Sequence, residues 1–247
     1  MEDKLGEDTA SRYDADGRLI QETNELGHKV HYVYDRMGRV TKKTNEDGTS
    51  QEYTYDANGN LLTVTNERGF VTRYTYDKNN RLLTETDPLG GVTTKTYTET
   101  GMVATEKDAL EGMWYYTYDE NDNIISIRDP EWYMVRYTYD KDNRPVTAKD
   151  RRGNVTSFVY DENGNIVEVH NPDGGIEKYT YDTNDQVLTY TDGEGYTTYY
   201  EYDENGNLVK VTDPRGNSRT GIYDPLDQLV ETINEEGGKV LLTYDAM

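Results

Sequence analysis

The stretch "YTYDANGN", residues 53–60, contains the pattern that decides the fold. It returns as "YTYDKNNR" at 74–81, "YTYDENDN" at 116–123 and "YEYDENGN" at 200–207. Strict self-similarity of this kind is typical of repeat proteins, in which each unit buries its face against its neighbours. With the second tyrosine of the phrase taken as a marker, the markers stand 21 residues apart without a slip: Tyr13, Tyr34, Tyr55, Tyr76, Tyr97, Tyr118, Tyr139, Tyr160, Tyr181, Tyr202, Tyr223 and Tyr244.

A turn follows each marker. Asp comes directly after it in eleven of the twelve repeats, and Thr98 is the exception. Gly, Asn and Asp tolerate a positive φ, so a position restricted to them is predicted to be left-handed and to close a type I hairpin turn. Only these three types stand four residues after a marker: Gly17, Gly38, Gly59, Asn80, Gly101, Asp122, Asn143, Gly164, Asp185, Gly206 and Asp227.

A second turn is predicted half a repeat later. Asn or Asp stands eleven residues after each marker, and Gly follows three residues beyond in nine of eleven cases, with Glu111 and Trp132 as the departures. Between the turns lie Tyr-x-Tyr segments and apolar pairs such as Leu61-Leu62, which suit strands of about six residues. Pro145 falls at an apolar strand position and is expected to weaken pairing there.

The fold class predicted is all-β, an antiparallel β-hairpin repeat array with a 21-residue period. Because the period is odd and strand side chains alternate, each repeat needs one correcting irregularity, either an even-length second loop or a β-bulge. An open sheet rarely passes about ten strands without curling, so the array is expected to coil into a spiral ribbon or partial hollow shell. Residues 1–12 are interpreted as a leader and partial first repeat, and 13–247 as the array, cut within a turn.

The composition favours a thin, wet core. Only 33% of the residues are apolar, and 24 tyrosines must supply much of the buried area. A net charge of −22 opposes binding to nucleic acid, because phosphates would be repelled. Cysteine is absent, no apolar run is long enough to insert into a membrane, and the first ten residues do not resemble a signal peptide.

The phrase Tyr-Asp-x-x-Gly-Arg-Leu, seen as "YDADGRL" at 13–19 and nearly intact as "YDRMGRV" at 34–40, resembles the YD repeat of the RHS family. That family includes bacterial polymorphic toxins, the C components of insecticidal toxin complexes and the teneurins. The resemblance implies a β-ribbon wound into a shell that, in toxin members, encloses an effector. It also implies a non-enzymatic, structural role in a secreted or cell-surface parent protein.

Several partners are expected on this interpretation: flanking repeats or a core segment of a larger parent protein, a toxin cargo, or further copies joined through exposed sheet edges. The alternative is an extracellular adhesion module that binds carbohydrate or protein, because exposed aromatic rings stack on sugars. An adhesin should expose its aromatics, whereas an enzyme should interrupt the repeat with a polar cluster. No catalytic or cofactor-binding residue is predicted, and His28, His31 and His170 are interpreted as exposed polar residues.

Calcium is a weaker alternative at two first turns. Both carry "DENGN", which offers oxygen ligands at alternating positions: Asp161, Asn163 and Asn165, and then Asp203, Asn205 and Asn207. An EF-hand loop would continue with Gly at its sixth place and Glu at its twelfth. Ile166 and Pro172, or Leu208 and Pro214, stand there instead, so turn chemistry on an acidic surface is the preferred interpretation.

The repeat is most disturbed between Tyr97 and Tyr139, where both tryptophans of the chain occur. Two hypotheses account for the large side chains there. They form a local cap that fills irregular turns, or they form an exposed patch that contacts a partner, since aromatic and Met side chains are enriched in such contacts. The residues concerned are Met113, Trp114, Tyr115, Trp132, Tyr133 and Met134.

Overall fold

A computed structural model describes residues 9–244, and every regular element in that range is a β-strand. The proposed leader at 1–12 and the chain end at 245–247 lie mostly or wholly outside the described residues. The strands are β1 Ala10–Tyr13, β2 Leu19–Thr23, β3 Lys29–Tyr34, β4 Val40–Thr44, β5 Ser50–Tyr55, β6 Leu61–Thr65, β7 Val71–Tyr76, β8 Leu82–Thr86, β9 Val92–Tyr97, β10 Val103–Lys107, β11 Met113–Tyr118, β12 Ile124–Arg128, β13 Met134–Tyr139, β14 Pro145–Lys149, β15 Val155–Tyr160, β16 Ile166–His170, β17 Ile176–Tyr181, β18 Val187–Thr191, β19 Thr197–Tyr202, β20 Leu208–Thr212, β21 Ser218–Tyr223, β22 Leu229–Ile233 and β23 Lys239–Leu241.

The strands belong to two compact units. The first comprises Met1–Tyr116 with Asp129–Glu131, and the second comprises Thr117–Arg128 with Trp132–Met247. Within each unit, successive strands pair antiparallel as a meander of hairpins, for example β5 with β6 and β6 with β7. The predicted all-β hairpin array with its 21-residue period is therefore confirmed. Among residues 9–244, no helix is long and apolar enough to cross a membrane.

Five residues connect the strands at each turn, as at 56–60 and 66–70. In the first of these loops Gly59 donates its backbone N–H to Asp56 O at 3.2 Å, and Asp56 donates to Asn60 O at 2.9 Å. Asp56 Oδ1 also accepts the backbone N–H groups of Asn58 and Asn60. An acidic side chain at the turn entrance thus satisfies turn amides that have no ladder partner, which explains the recurrent Asp.

All eleven positions four residues after a marker have positive φ, as predicted, from 59° at Asp227 to 98° at Gly101. The second turns are equally regular. Glu111 and Trp132 take φ values of 73° and 69°, although neither has the freedom of the Gly found elsewhere at this position. The left-handed conformation of the second turn is therefore kept at both departures from Gly.

A β-bulge in the hairpins closed by the first turn corrects the odd period. Tyr55 lies opposite Leu61 and Thr54 lies opposite Thr63, so Leu62 is the extra residue on its strand. The same shift recurs directly before the marker in other hairpins, for example at Thr75/Tyr76 and Thr180/Tyr181. Both loops have odd length, so the bulge, rather than an even-length second loop, restores the side-chain alternation.

The sheet has two distinct faces. The tyrosine face carries the markers and the residues two before them, whereas the threonine face carries the residue just before each marker and its cross-strand partner. On the threonine face, Thr54 and Thr63 hydroxyls lie 2.6 Å apart, and the same pairing recurs at Thr75 and Thr84. No described side chain is fully buried, which fits the thin core expected from the composition.

Pro145 does not disturb the pairing of its strand. It is the first residue of β14 and lies opposite Tyr139, with Thr138 opposite Thr147, the register seen in the other hairpins. The expected local weakening is therefore not seen. The first residue of a strand is a position at which the missing N–H of proline is tolerated.

Candidate functional site: the repeat junctions

Most marker tyrosines join their repeat to the one before it. Tyr55 donates its hydroxyl to Val40 O at 2.9 Å, a carbonyl that lies at the bulge of the preceding hairpin. A bulge interrupts the ladder, and a buried hydroxyl needs a partner, so one bond meets both requirements. Distances of 2.6–3.2 Å are found for the same bond, always 15 residues back, from Tyr34, Tyr55, Tyr97, Tyr139, Tyr160, Tyr181, Tyr223 and Tyr244.

An arginine closes four of the junctions. Arg39 donates Nε to Asp35 Oδ2 at 2.7 Å within its own turn. It also donates Nη1 to Asp56 O of the next repeat at 3.0 Å. Its guanidinium lies 4.6 Å from the ring centre of Tyr55, within the range of a cation–π contact. Arg18, Arg81 and Arg144 take the same position over Tyr34, Tyr97 and Tyr160.

Asparagine replaces this arginine at four other junctions. Asn60 donates Nδ2 to Asp56 Oδ2 and to Asn80 Oδ1, both at 2.8 Å, and Asn80 is the left-handed residue of the next repeat. Asn123 makes the equivalent bond to Asn143. Asn165 and Asn207 bind Asp185 and Asp227 in the same way. The shorter side chain thus requires an acceptor on the neighbouring turn.

The two junction types obey a pairing rule along the chain. Arg or Gln at this position is followed 20 residues later by Gly, whereas these asparagines are followed by Asn or Asp. A β-carbon on Gly101 would lie in van der Waals contact with Arg81 Nη1, at 3.6 Å, and one on Gly206 would lie closer still to Gln186 Nε2, at 3.2 Å, so the atoms of a longer side chain would meet the Arg or Gln. The long side chain therefore occupies the volume that Asn or Asp fills at the other junctions.

Hydrogen bonds and burial shift the pKa values at the junctions. The backbone N–H of Arg39, followed by its side chain, lowers the pKa of Asp35, although partial desolvation opposes this. Burial raises the pKa of Tyr55. Tyr179 lies 5.1 Å from the Tyr190 ring and donates to Glu177, so burial and that bond raise its pKa to about 12. These groups hold hydrogen bonds that join strands and turns.

The calcium candidates are engaged in the same turn chemistry. Asp161 Oδ1 accepts the backbone N–H groups of Asn163 and Asn165. The two asparagines direct their Nδ2 groups, rather than oxygens, at Asp185. Asp203, Asn205 and Asn207 make the corresponding bonds, with Asp227 as the acceptor. In the part of the chain that the structure describes, no group of three or more His, Asp or Glu could hold a metal ion. Calcium binding stays a prediction.

The candidate interaction patch is distributed over different positions of the repeat. Strand alternation places Trp114 on the tyrosine face and its neighbours Met113 and Tyr115 on the threonine face. Met134 lies on the threonine face at the start of β13. Trp132 and Tyr133 lie in the second turn, 71% and 50% exposed. The partner role of these residues stays a prediction, and of the six only Trp132 and Tyr133 expose large rings on the rim.

The histidines lie in ordinary polar surroundings. His170 Nε2 is 2.8 Å from Glu168 Oε2, and Lys178 Nζ lies 3.2 Å from the other oxygen of that carboxylate. His28 Nε2 is 3.8 Å from Glu46 Oε2 on the next second turn. His170 thus lies within hydrogen-bond distance of a carboxylate on its own strand, and His28 lies near one on the neighbouring turn.

Together the folds and junctions define a class: a stack of antiparallel hairpins in which every repeat provides the surface on which the next one packs. The family model described as Teneurin YD-shell matches residues 8–176, and the one described as RHS Repeat matches residues 181–218. The chain therefore belongs to the YD-shell family.

Solved structures show the same fold. The structure titled "Crystal Structure of TcdB2-TccC3" matches with a TM-score of 0.76 and 16% identity over 92% of this chain. "Crystal Structure of TcdB2-TccC3-TEV" matches with a TM-score of 0.75, also at 16% identity, over 91%. In both cases the match spans 14% of the solved chain. Comparison with curated proteins gave no match.

Proposed function

We propose that this chain is a non-enzymatic wall segment of a secreted or cell-surface YD-repeat shell, which encloses or presents a toxin or effector as cargo. The observation that carries the proposal is the junction itself. Arg39 binds its own turn, the next turn and the next marker ring, so the most specialised side chains of the repeat hold one repeat to another. A wall is built by such lateral contacts, and it needs no reactive group.

The polar chemistry of the chain also supports a structural role. Turn carboxylates such as Asp56 accept two backbone N–H groups and a side-chain amide, which leaves little capacity for a substrate. Marker hydroxyls are bound to backbone carbonyls. Flanking repeats or a core segment of a larger parent protein are the partners that would continue and close such a wall.

Limited proteolysis of the native polypeptide that contains these repeats tests the proposal. The cargo segment should resist digestion in the intact protein. It should become cleavable when Arg39→Ala and Arg81→Ala are introduced together, while Arg68→Ala, in an exposed second turn, should change nothing. Enclosure would be contradicted by a cargo segment that is cleaved equally fast in all three proteins. Saturable binding of the purified chain to defined glycans would instead favour adhesion.

A further inference from the structure

The threonine face of the second unit carries a run of positive charge across four strands. Across β12 to β15 its charged residues are Arg128, Arg136 and Lys149, and the remaining positions are Ser, Thr, Val and Met. No carboxylate stands on this face of these four strands, although the whole chain has a net charge of −22. The local charge is thus opposite to that of the molecule.

Two of these cations, Arg136 and Lys149, are not paired with a carboxylate across the sheet as some others are. Elsewhere on the threonine face, Lys42 lies 2.9 Å from Glu52 and Lys210 lies 2.7 Å from Glu201. Arg136 and Lys149 instead lie directly opposite each other, and both are exposed. None of the ion pairs found among residues 9–244 includes either of them. Like charges in directly opposed positions destabilise a sheet.

Aromatic rings border Arg128 and a further cation, Arg151, at the second-turn rim. The Arg128 guanidinium lies 4.3 Å from the centre of the Trp132 ring, and that of Arg151 lies 5.5 Å from the centre of the Tyr133 ring. Trp132 is 71% exposed and holds a φ of 69° at a position where most repeats have Gly. A bulky residue in the left-handed region is strained, so the exposed indole at this turn costs stability relative to Gly.

We propose that this surface, defined by Arg128, Trp132, Tyr133, Arg136, Lys149 and Arg151 and here called the basic rim surface, binds an acidic segment of a partner polypeptide. Two departures from the pattern of the chain coincide there: the directly opposed cations and the strained tryptophan. Such departures concentrate at functional sites. Arg, Trp and Tyr are also the side chains most enriched where partners bind tightly.

Charge complementarity selects the occupant. A segment rich in Asp or Glu would separate the opposed charges of Arg136 and Lys149, and guanidinium groups bind carboxylates in bidentate fashion. Four strands span about 15 Å, the reach of a short extended peptide. A long polyanion such as nucleic acid would extend onto acidic first turns such as Asp140 and Asp142, where it is repelled. The inference does not depend on a shell or a cargo.

Fluorescence anisotropy with a labelled octapeptide of alternating Glu and Ser tests the proposal at low salt. The peptide should bind the full chain, lose affinity as salt is raised, and bind at least about tenfold more weakly to Arg136→Glu. Arg73→Glu is the matched control, because Arg73 holds the same position of the repeat in the other unit. It should retain the affinity. The alternating Gln and Ser peptide, with the same label, should not bind.

The Trp132→Gly variant distinguishes a loss of peptide affinity from a loss of folding stability. The variant should bind the acidic peptide more weakly and yet unfold at a higher temperature, because Gly relieves the strained φ. Three results would overturn the proposal: unchanged affinity in Arg136→Glu, equal binding of a single-stranded DNA octamer, or concentration-dependent self-association in sedimentation that Arg136→Glu abolishes. The last would identify a second copy as the occupant.

Discussion

The guanidinium of Arg39 lies 4.6 Å from the ring centre of Tyr55, the marker of the following repeat. Asp35 on one side and the carbonyl of Asp56 on the other hold the arginine in place. Because the ring beneath it donates its own hydroxyl to Val40, each side of the junction positions the other. The YD motif therefore forms a turn and also holds neighbouring repeats together.

Replacement of Arg39 by Lys should destabilise the chain by about 1 kcal/mol, because an ammonium keeps the charge but lacks the planar fork that reaches both turns and stacks on the ring. Denaturant unfolding measures the loss. Arg68→Lys, in an exposed second turn, is the control and should be neutral. A double-mutant cycle with Tyr55→Leu should give a coupling of about 0.5–1 kcal/mol, and additive effects would contradict the contact.

Removal of a single hydroxyl tests the bond at the bulge. Tyr55→Phe should cost about 1 kcal/mol, because Val40 O loses its donor where the ladder is interrupted. Tyr53→Phe is the matched control, since Tyr53 shares the face but donates only to the Gln51 side chain. Its loss should be smaller in the same denaturant melts. Equal losses of stability in Tyr55→Phe and Tyr53→Phe would show that the bond to Val40 O contributes no more than a bond to a side chain.

Much of this architecture follows from local chemistry, which is why it could be predicted from the sequence. Gly59 and Asn80 indicate a left-handed residue because few side chains tolerate one, and the regular spacing then places every strand. The bulge at Leu62 could not be selected in advance, because an even-length loop would restore the alternation equally well. The arginine junctions were missed, although the pairing of Arg39 with Gly59 and of Asn60 with Asn80 was visible in the chain.

Exchange of one junction type for the other tests that pairing. Arg39→Asn alone should lose the ring contact, and Gly59→Asn alone should place a side chain where the arginine lies. Together the two substitutions recreate the Asn60–Asn80 junction. The double variant should therefore be more stable than the sum of the single effects by about 0.5–1 kcal/mol. If the two single changes in unfolding free energy simply add, the residue at one turn does not depend on the residue at the next.

The chain should lose stability at alkaline pH through its tyrosines. Burial and the bond to Glu177 raise the pKa of Tyr179 to about 12, above its ordinary value of 10.0. A group whose folded pKa is raised stabilises the fold fully below the unfolded pKa and loses that contribution as pH rises through the folded value. The loss should therefore fall between about pH 10 and 12. Tyrosinate absorbance and unfolding of Tyr179→Phe measure it, and an unchanged alkaline transition would contradict the assignment.

Substitutions at two left-handed turn positions should change the stability of the chain in opposite directions. Gly59→Val should destabilise by about 1–2 kcal/mol, because a β-branched side chain is poorly tolerated at the φ of 96° found there. Glu111 holds a φ of 73° in a second turn where other repeats have Gly, so Glu111→Gly should stabilise by about 1 kcal/mol. Its exposed ion pair with Lys107 is lost, but such surface pairs contribute little. Thermal melts of both variants, beside wild type, measure the two shifts. Destabilisation by Glu111→Gly would show that the ion pair outweighs the backbone strain.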